Sequence, residues 1–121
     1  MRHLFVDVPA EGSLDARVGQ VVTINGRLYE SIAPVRRAAL RTAPESAAVQ
    51  DMLGRARGWV RAEVERVFAE ELASRNRDTV NALELALSFE AWDQLRSAQG
   101  LSPARTASTV AQLLRAILAP A

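Results

Sequence analysis

The chain has 121 residues, of which 49% are hydrophobic and 24% charged, which suits one compact domain and not two. Its fifteen basic residues, all arginine, face fourteen acidic ones, and a net charge of +1 argues against a dedicated nucleic-acid surface. With no cysteine, no signal-peptide pattern and no apolar run of membrane-spanning length, we expect a cytoplasmic protein that makes no membrane contact.

The first thirteen residues contain one short apolar run, Leu4-Phe5-Val6, followed by a polar stretch that ends at Ser13. We interpret this segment as the cut end of a preceding helix that runs into a loop, with Ser13 as the N-cap of the next helix. His3, the one histidine of the sequence, lies in this segment.

A first long helix is predicted from Leu14 onwards, because apolar residues recur at helical spacing. They are Leu14, Val18, Val21, Val22, Leu28, Tyr29 and Ile32. The Asn25-Gly26 pair between β-branched residues is also a hairpin signal over residues 21–29. We favour the helix, since strict alternation is missing and a lone hairpin would have no third strand. The helix ends near Pro34 or continues past it to Leu40.

A second helix is predicted over residues 46–73, after a turn that contains Pro44. Its inward-facing positions follow the helical period: Val49, Met52, Leu53, Ala56, Val60, Val64, Val67 and Leu72. The opposite face carries arginine–glutamate pairs at i, i+4 spacing, which indicates a solvated surface.

Two further helices are predicted, over residues 78–97 with Asp78 as the cap, and from Pro103 to the end. Gly100, Ser102 and Pro103 supply a C-terminal glycine, an N-cap and a first-turn proline. The last helix has only a narrow polar stripe, although one apolar face of about 100° is enough on a monomer surface. We therefore expect this pair to lie between its own subunit and a second copy, the alternative being burial in one larger core. The predicted interface consists of Ala107, Val110, Ala111, Leu114, Ile117 and Leu118.

The run LSFEAWDQLR at residues 87–96, followed by QGLS at 99–102 and a terminal helix, resembles the C-terminal end of TetR-like transcriptional repressors. The segment YESIAPVRRAA at residues 29–39 is similar to the middle of their ligand domain. The resemblance implies an all-α bundle of four to five helices, whose last two helices pair with those of a second subunit as a four-helix bundle. It also implies a bacterial regulator in which an inducer bound in the helical body acts on DNA-binding helix-turn-helix domains.

Residues 1–40 contain no helix-turn-helix pattern with a basic recognition helix. The resemblance therefore covers only the regulatory half, and we expect DNA binding only through a domain that this sequence lacks. Met1 then marks an internal start, a naturally shortened chain, or a ligand domain expressed by itself.

Catalytic chemistry is not indicated. His3 has no partner at metal-ligand spacing, no serine stands in a nucleophile pattern with it, and Glu63 and Glu65, or Glu70 and Glu71, point apart on a helix. There is no glycine-rich phosphate loop. We predict no enzyme, no metal and no cofactor.

Apolar recognition remains. The large side chains of the helical body either fill the core or also line a pocket for a small apolar ligand. The candidate ligand-binding residues are Tyr29, Met52, Trp59, Phe68, Phe89 and Trp92. We predict a ligand-sensing, homodimeric domain of a TetR-like regulator. The alternative is a helical homodimerisation or protein-interaction module with no small-molecule site.

Overall fold

The computed structural model describes residues 8–120, in which every regular element is helical and no strand occurs. His3 and the Leu4-Phe5-Val6 run lie outside the described residues. The α-helices are α1 (Leu14–Thr42), α2 (Ala47–Val67), α3 (Ala69–Leu72), α4 (Arg77–Ala86), α5 (Phe89–Asp93) and α6 (Pro103–Ile117). A 3₁₀ turn at Ala43–Glu45 precedes α2, and a π-helical turn at Gln94–Ala98 follows α5. The predicted all-α bundle is confirmed. None of the helices in residues 8–120 is both long and apolar enough to cross a membrane.

Helix α1 is continuous where the sequence also allowed a hairpin. The Ser13 hydroxyl accepts a hydrogen bond from Ala16 N at 3.1 Å, which confirms Ser13 as the N-cap. Asn25 and Gly26 are buried inside the helix, and Pro34 lies on its exposed side. The chain therefore runs past Pro34 and ends its helix at Thr42, so the hairpin alternative is wrong.

The helix predicted over residues 46–73 is divided at Phe68. Ser46 caps α2, accepting from Val49 N at 3.2 Å, and Phe68 adopts a non-helical conformation with its side chain completely buried. Arg17 holds the junction, since it donates to the Val67 carbonyl at 2.9 Å and to the carboxylate of Glu71 at 2.7 Å. The helix thus breaks between α2 and α3, and the Val67 carbonyl at the break is satisfied by Arg17.

Most of the predicted inward positions of α2 face the core. Leu53, Val60, Val64 and Val67 are buried. Met52 is 41% exposed, so its placement in the core was wrong. It lies beyond the edge of the buried stripe.

The helix predicted over residues 78–97 is also divided. Asn76, not Asp78, caps α4, and the Ser88 hydroxyl accepts from Ala91 N at 3.1 Å to begin α5. Because an N-cap residue has extended backbone dihedrals, a capping serine in mid-segment separates α4 from α5. The break before α6 is confirmed, with Gly100 at φ +68°, Ser102 as the N-cap and Pro103 in the first turn.

The bundle is arranged around α1 and α6. Helix α1 packs chiefly against α6, α2 packs chiefly against α4, and α4 also contacts α6. At the C-terminal end of α6, Arg75 donates hydrogen bonds to the carbonyls of Ile117 and Leu118, each at 3.0 Å. Leu83 and Leu114 are completely buried where α4 and α6 meet.

Candidate functional site

A cleft of about 260 Å³ lies between α1, α2 and the α4–α5 junction. Its lining includes Leu28, Tyr29, Ile32 and Arg36 from α1, Ala56, Arg57, Trp59 and Val60 from α2, and Asn81, Glu84, Leu85, Ser88 and Glu90 from the α4–α5 region. Helix α1 packs chiefly against α6, and α2 packs chiefly against α4. Helices α1 and α2 contact each other less, and the cleft lies between them.

Tyr29 forms the inner wall of the cleft. Its hydroxyl donates to the Leu87 carbonyl at 2.7 Å, and its ring meets that of Phe89 edge-to-face with the centroids 5.5 Å apart. The Trp92 ring, from the same helix as Phe89, is tilted by 54° to the Tyr29 ring with the centroids 6.3 Å apart. Burial raises the pKa of the Tyr29 phenol, so the group stays protonated and its proton is committed to Leu87. Tyr29 therefore presents a neutral aromatic surface to the cleft.

The rim of the cleft is charged. Glu84 is paired with Arg61 at 3.0 Å, whereas Arg57 and Glu90 are exposed. The Arg36 guanidinium lies 5.6 Å from the centre of the Phe89 ring, within the range of a cation–π contact. Arg36 Nε is buried, and residues 8–120 provide it with no hydrogen-bond acceptor.

A second and shallower groove lies on the other side of α1, against α6. Trp92 forms its floor, with the indole against Gly26 and Nε1 donating to Glu30 at 2.8 Å. Glu30 also accepts from Arg96 at 2.8 Å, and this bond chiefly holds the pKa of the Glu30 carboxyl below its usual value. Glu30 and the Trp92 indole are therefore already paired with each other in this groove, so they are less available to a ligand.

The structure brings together some of the predicted ligand-binding residues. Tyr29 and Trp59 line the cleft, and Phe89 and Trp92 support Tyr29 from behind without lining it. Met52 is exposed on α2 and Phe68 is fully buried in the core, and neither is among the lining residues. These two assignments find no support in the geometry.

Sequence reasoning missed the charged rim, above all Arg36. A signal was present, because Tyr29, Ile32 and Arg36 are spaced three and four residues apart and so share one face of α1. An arginine on an aromatic face of a predicted ligand-domain helix was a reasonable candidate. In residues 8–120, no group of three or more His, Asp or Glu side chains is placed to hold a metal ion.

The predicted interface residues of α6 lie largely inside one chain. Val110, Ala111, Leu114 and Leu118 are 2%, 8%, 0% and 2% exposed, while Ala107 and Ile117 are partly buried. The premise that one subunit cannot cover these side chains is therefore wrong, since α1 and α4 cover them. A second copy would meet the outer side of α6, where Leu113 is 43% exposed.

Comparisons with protein-family profiles, with curated proteins and with solved structures find no match to this chain. The resemblance to TetR-like proteins therefore stays a prediction that rests on the residues quoted for it.

Proposed function

We propose that this chain is the ligand-sensing and dimerisation domain of a TetR-like transcriptional regulator, which takes up a small, largely apolar molecule between α1, α2 and α4. The observation that carries the proposal is the cleft itself, with Tyr29 and Trp59 as aromatic walls. Concave, mainly apolar sites with a few polar groups are the usual form of small-molecule sites. A volume of about 260 Å³ suits a compact ligand of one or two rings.

The position of the cleft supports a sensing role, because one of its walls is formed where α4 ends and α5 begins. Tyr29 is hydrogen-bonded to Leu87, next to the Ser88 cap that separates α4 from α5. A ligand held against Tyr29 would therefore bear on the α4–α5 junction. In the proposed regulator this displacement would be passed on to a helix-turn-helix domain outside this sequence, in the cytoplasm of a bacterium.

The proposal is tested by filling the cleft. Ala56 lines it from α2, whereas Ala62 is exposed on the same helix and does not. We expect members of a panel of flat apolar compounds to change the fluorescence of Trp59 saturably and to raise the melting temperature, since a ligand that binds only the folded state stabilises it. Ala56→Phe should abolish both responses and Ala62→Phe should keep them.

Trp59 is the appropriate reporter because it lines the cleft, while Trp92 lies behind Tyr29. A panel with no effect on wild-type protein would leave the alternative, a helical homodimerisation or interaction module without a small-molecule site. A response that survives Ala56→Phe would place the ligand elsewhere on the bundle.

The homodimer remains part of the proposal, with a changed interface. Leu114 is completely buried in one chain, so Leu114→Glu would disrupt the fold before it reported on association. Leu113 lies on the outer side of α6 and suits that test.

A further inference from the structure

Arg36 differs from the other arginines that are at least partly buried in residues 8–120. Arg17, Arg37, Arg61, Arg75 and Arg96 all donate to carboxylate or carbonyl oxygens of the described chain. Arg36 instead lies over the Phe89 ring, and its Nε is buried with no acceptor among residues 8–120. Leaving the buried Nε without an acceptor in residues 8–120 costs free energy that an added carboxylate would relieve.

Arg36 lines the cleft, so its guanidinium is within reach of a bound ligand. It lies on the face of α1 that carries Tyr29 and Ile32, so its charge stands at the edge of an aromatic and aliphatic surface. Since no hydrogen bond from the described residues holds Nε, the guanidinium can turn toward the cleft without breaking one there. A planar guanidinium forms paired hydrogen bonds with a carboxylate in one plane.

The acidic residues of the rim bear on the sign of the ligand. Glu84 is engaged by Arg61 at 3.0 Å, which leaves Glu90 as the acidic lining residue without such a partner in residues 8–120. The rim thus carries two positive charges, on Arg36 and Arg57, and one negative charge, on Glu90, besides the Arg61–Glu84 pair. The local balance therefore favours a ligand with one negative charge.

We infer that the cleft selects a flat aromatic carboxylate, with its rings between Tyr29 and Trp59 and its carboxylate on Arg36. This inference rests on the proposed ligand-sensing function and specifies the chemical class of the ligand. The small volume limits the rings to one or two.

The test compares 2-naphthoate with 2-naphthamide, which has the same rings and nearly the same shape but no charge. Isothermal titration calorimetry at neutral pH should show the carboxylate binding at least tenfold more tightly to wild-type protein. Arg36→Gln should remove this preference and change the affinity for the amide less than threefold. Glu90→Gln, at an exposed site, should strengthen naphthoate binding, because it removes the like charge.

Arg55→Gln is the matched control, since Arg55 is exposed on α2 outside the cleft and its loss lowers the net charge by the same amount. The preference should survive it. Equal affinities for naphthoate and naphthamide would refute the carboxylate inference and leave the apolar cleft standing, whereas failure of both compounds to bind would count against the proposed function as well. A preference that persists in Arg36→Gln, or that Glu90→Gln leaves unchanged, would also overturn the assignment.

Discussion

Gly26 allows the contact between α1 and the Trp92 indole to be tested by adding one methyl group. A Cβ at this position would lie 2.7 Å from Cη2 of Trp92 and within 3.3 Å of two more ring atoms. The indole has little freedom to move, because it is 5% exposed and its Nε1 is bonded to Glu30 at 2.8 Å. We expect Gly26→Ala to destabilise the fold.

The magnitude follows from opposing effects. Alanine in place of glycine inside a helix contributes about 1 kcal/mol of stability. Overpacking a filled site costs about 1–3 kcal/mol, and displacing the indole weakens its bond to Glu30, which we value at ~1 kcal/mol because that carboxylate is about one-third exposed. The net expectation is a loss of about 1–3 kcal/mol in the free energy of unfolding.

Urea denaturation followed by far-UV circular dichroism measures this difference. Gly19→Ala is the matched control, since Gly19 is in the same helix and a Cβ there would meet no atom of residues 8–120 within 4 Å. It should stabilise by up to about 1 kcal/mol. In a Trp92→Phe background, Gly26→Ala should cost little or nothing, because phenylalanine lacks the outer ring. If Gly26→Ala stabilised the protein as Gly19→Ala does, the indole would not lie against α1.

Three further outcomes are expected. Tyr29→Phe should lower the free energy of unfolding by ~1–2 kcal/mol in urea titrations, because it leaves the buried Leu87 carbonyl without its 2.7 Å donor. Glu71 has a pKa held below its usual value, chiefly by the hydrogen bond from Arg17, so its stabilising contribution is present above about pH 4.5 and is lost as the pH falls through the folded-state pKa. Stability measured between pH 7 and pH 2 should therefore decline less steeply on the acid side in Glu71→Gln than in wild type, and equal slopes would exclude this linkage. Leu113→Glu should convert a proposed dimer to monomer in light scattering with an unchanged dichroism spectrum; a wild-type chain that is monomeric when concentrated would remove the dimer from the proposal.

Several elements were predictable because their signals are local. Ser13, Ser46 and Ser102 each precede a helix and accept a hydrogen bond from its first turn, as the capping pattern predicts. Gly100 adopts the positive φ that closes a helix. These features depend on neighbouring residues alone, so no tertiary information was needed.

The internal helix breaks depend on contacts that are distant in sequence. Phe68 leaves α2 because its side chain enters the core and because Arg17, about fifty residues earlier, is available at the Val67 carbonyl. The Asn25-Gly26 pair favoured a hairpin in the sequence. In the structure, Gly26 instead leaves room for the Trp92 indole to lie against the backbone of α1. A residue that permits a turn also permits an indole to lie on the backbone, and the sequence alone does not distinguish these uses.

The apolar excess of α6 shows how a correct observation led to a premise that the structure overturns. Its buried residues, from Thr106 through Val110 and Leu114 to Leu118 and Ala111, span an arc of about 140° at 100° per residue. A helix on one neighbour needs about 100°, but α6 has two, α1 and α4, at different directions around its axis. A wide apolar arc therefore follows from a helix set in the groove between two others, without a second subunit. In the same arrangement α1 packs more against α6 than against α2. The packing that buries the predicted dimer residues is thus accompanied by an open cleft between α1 and α2.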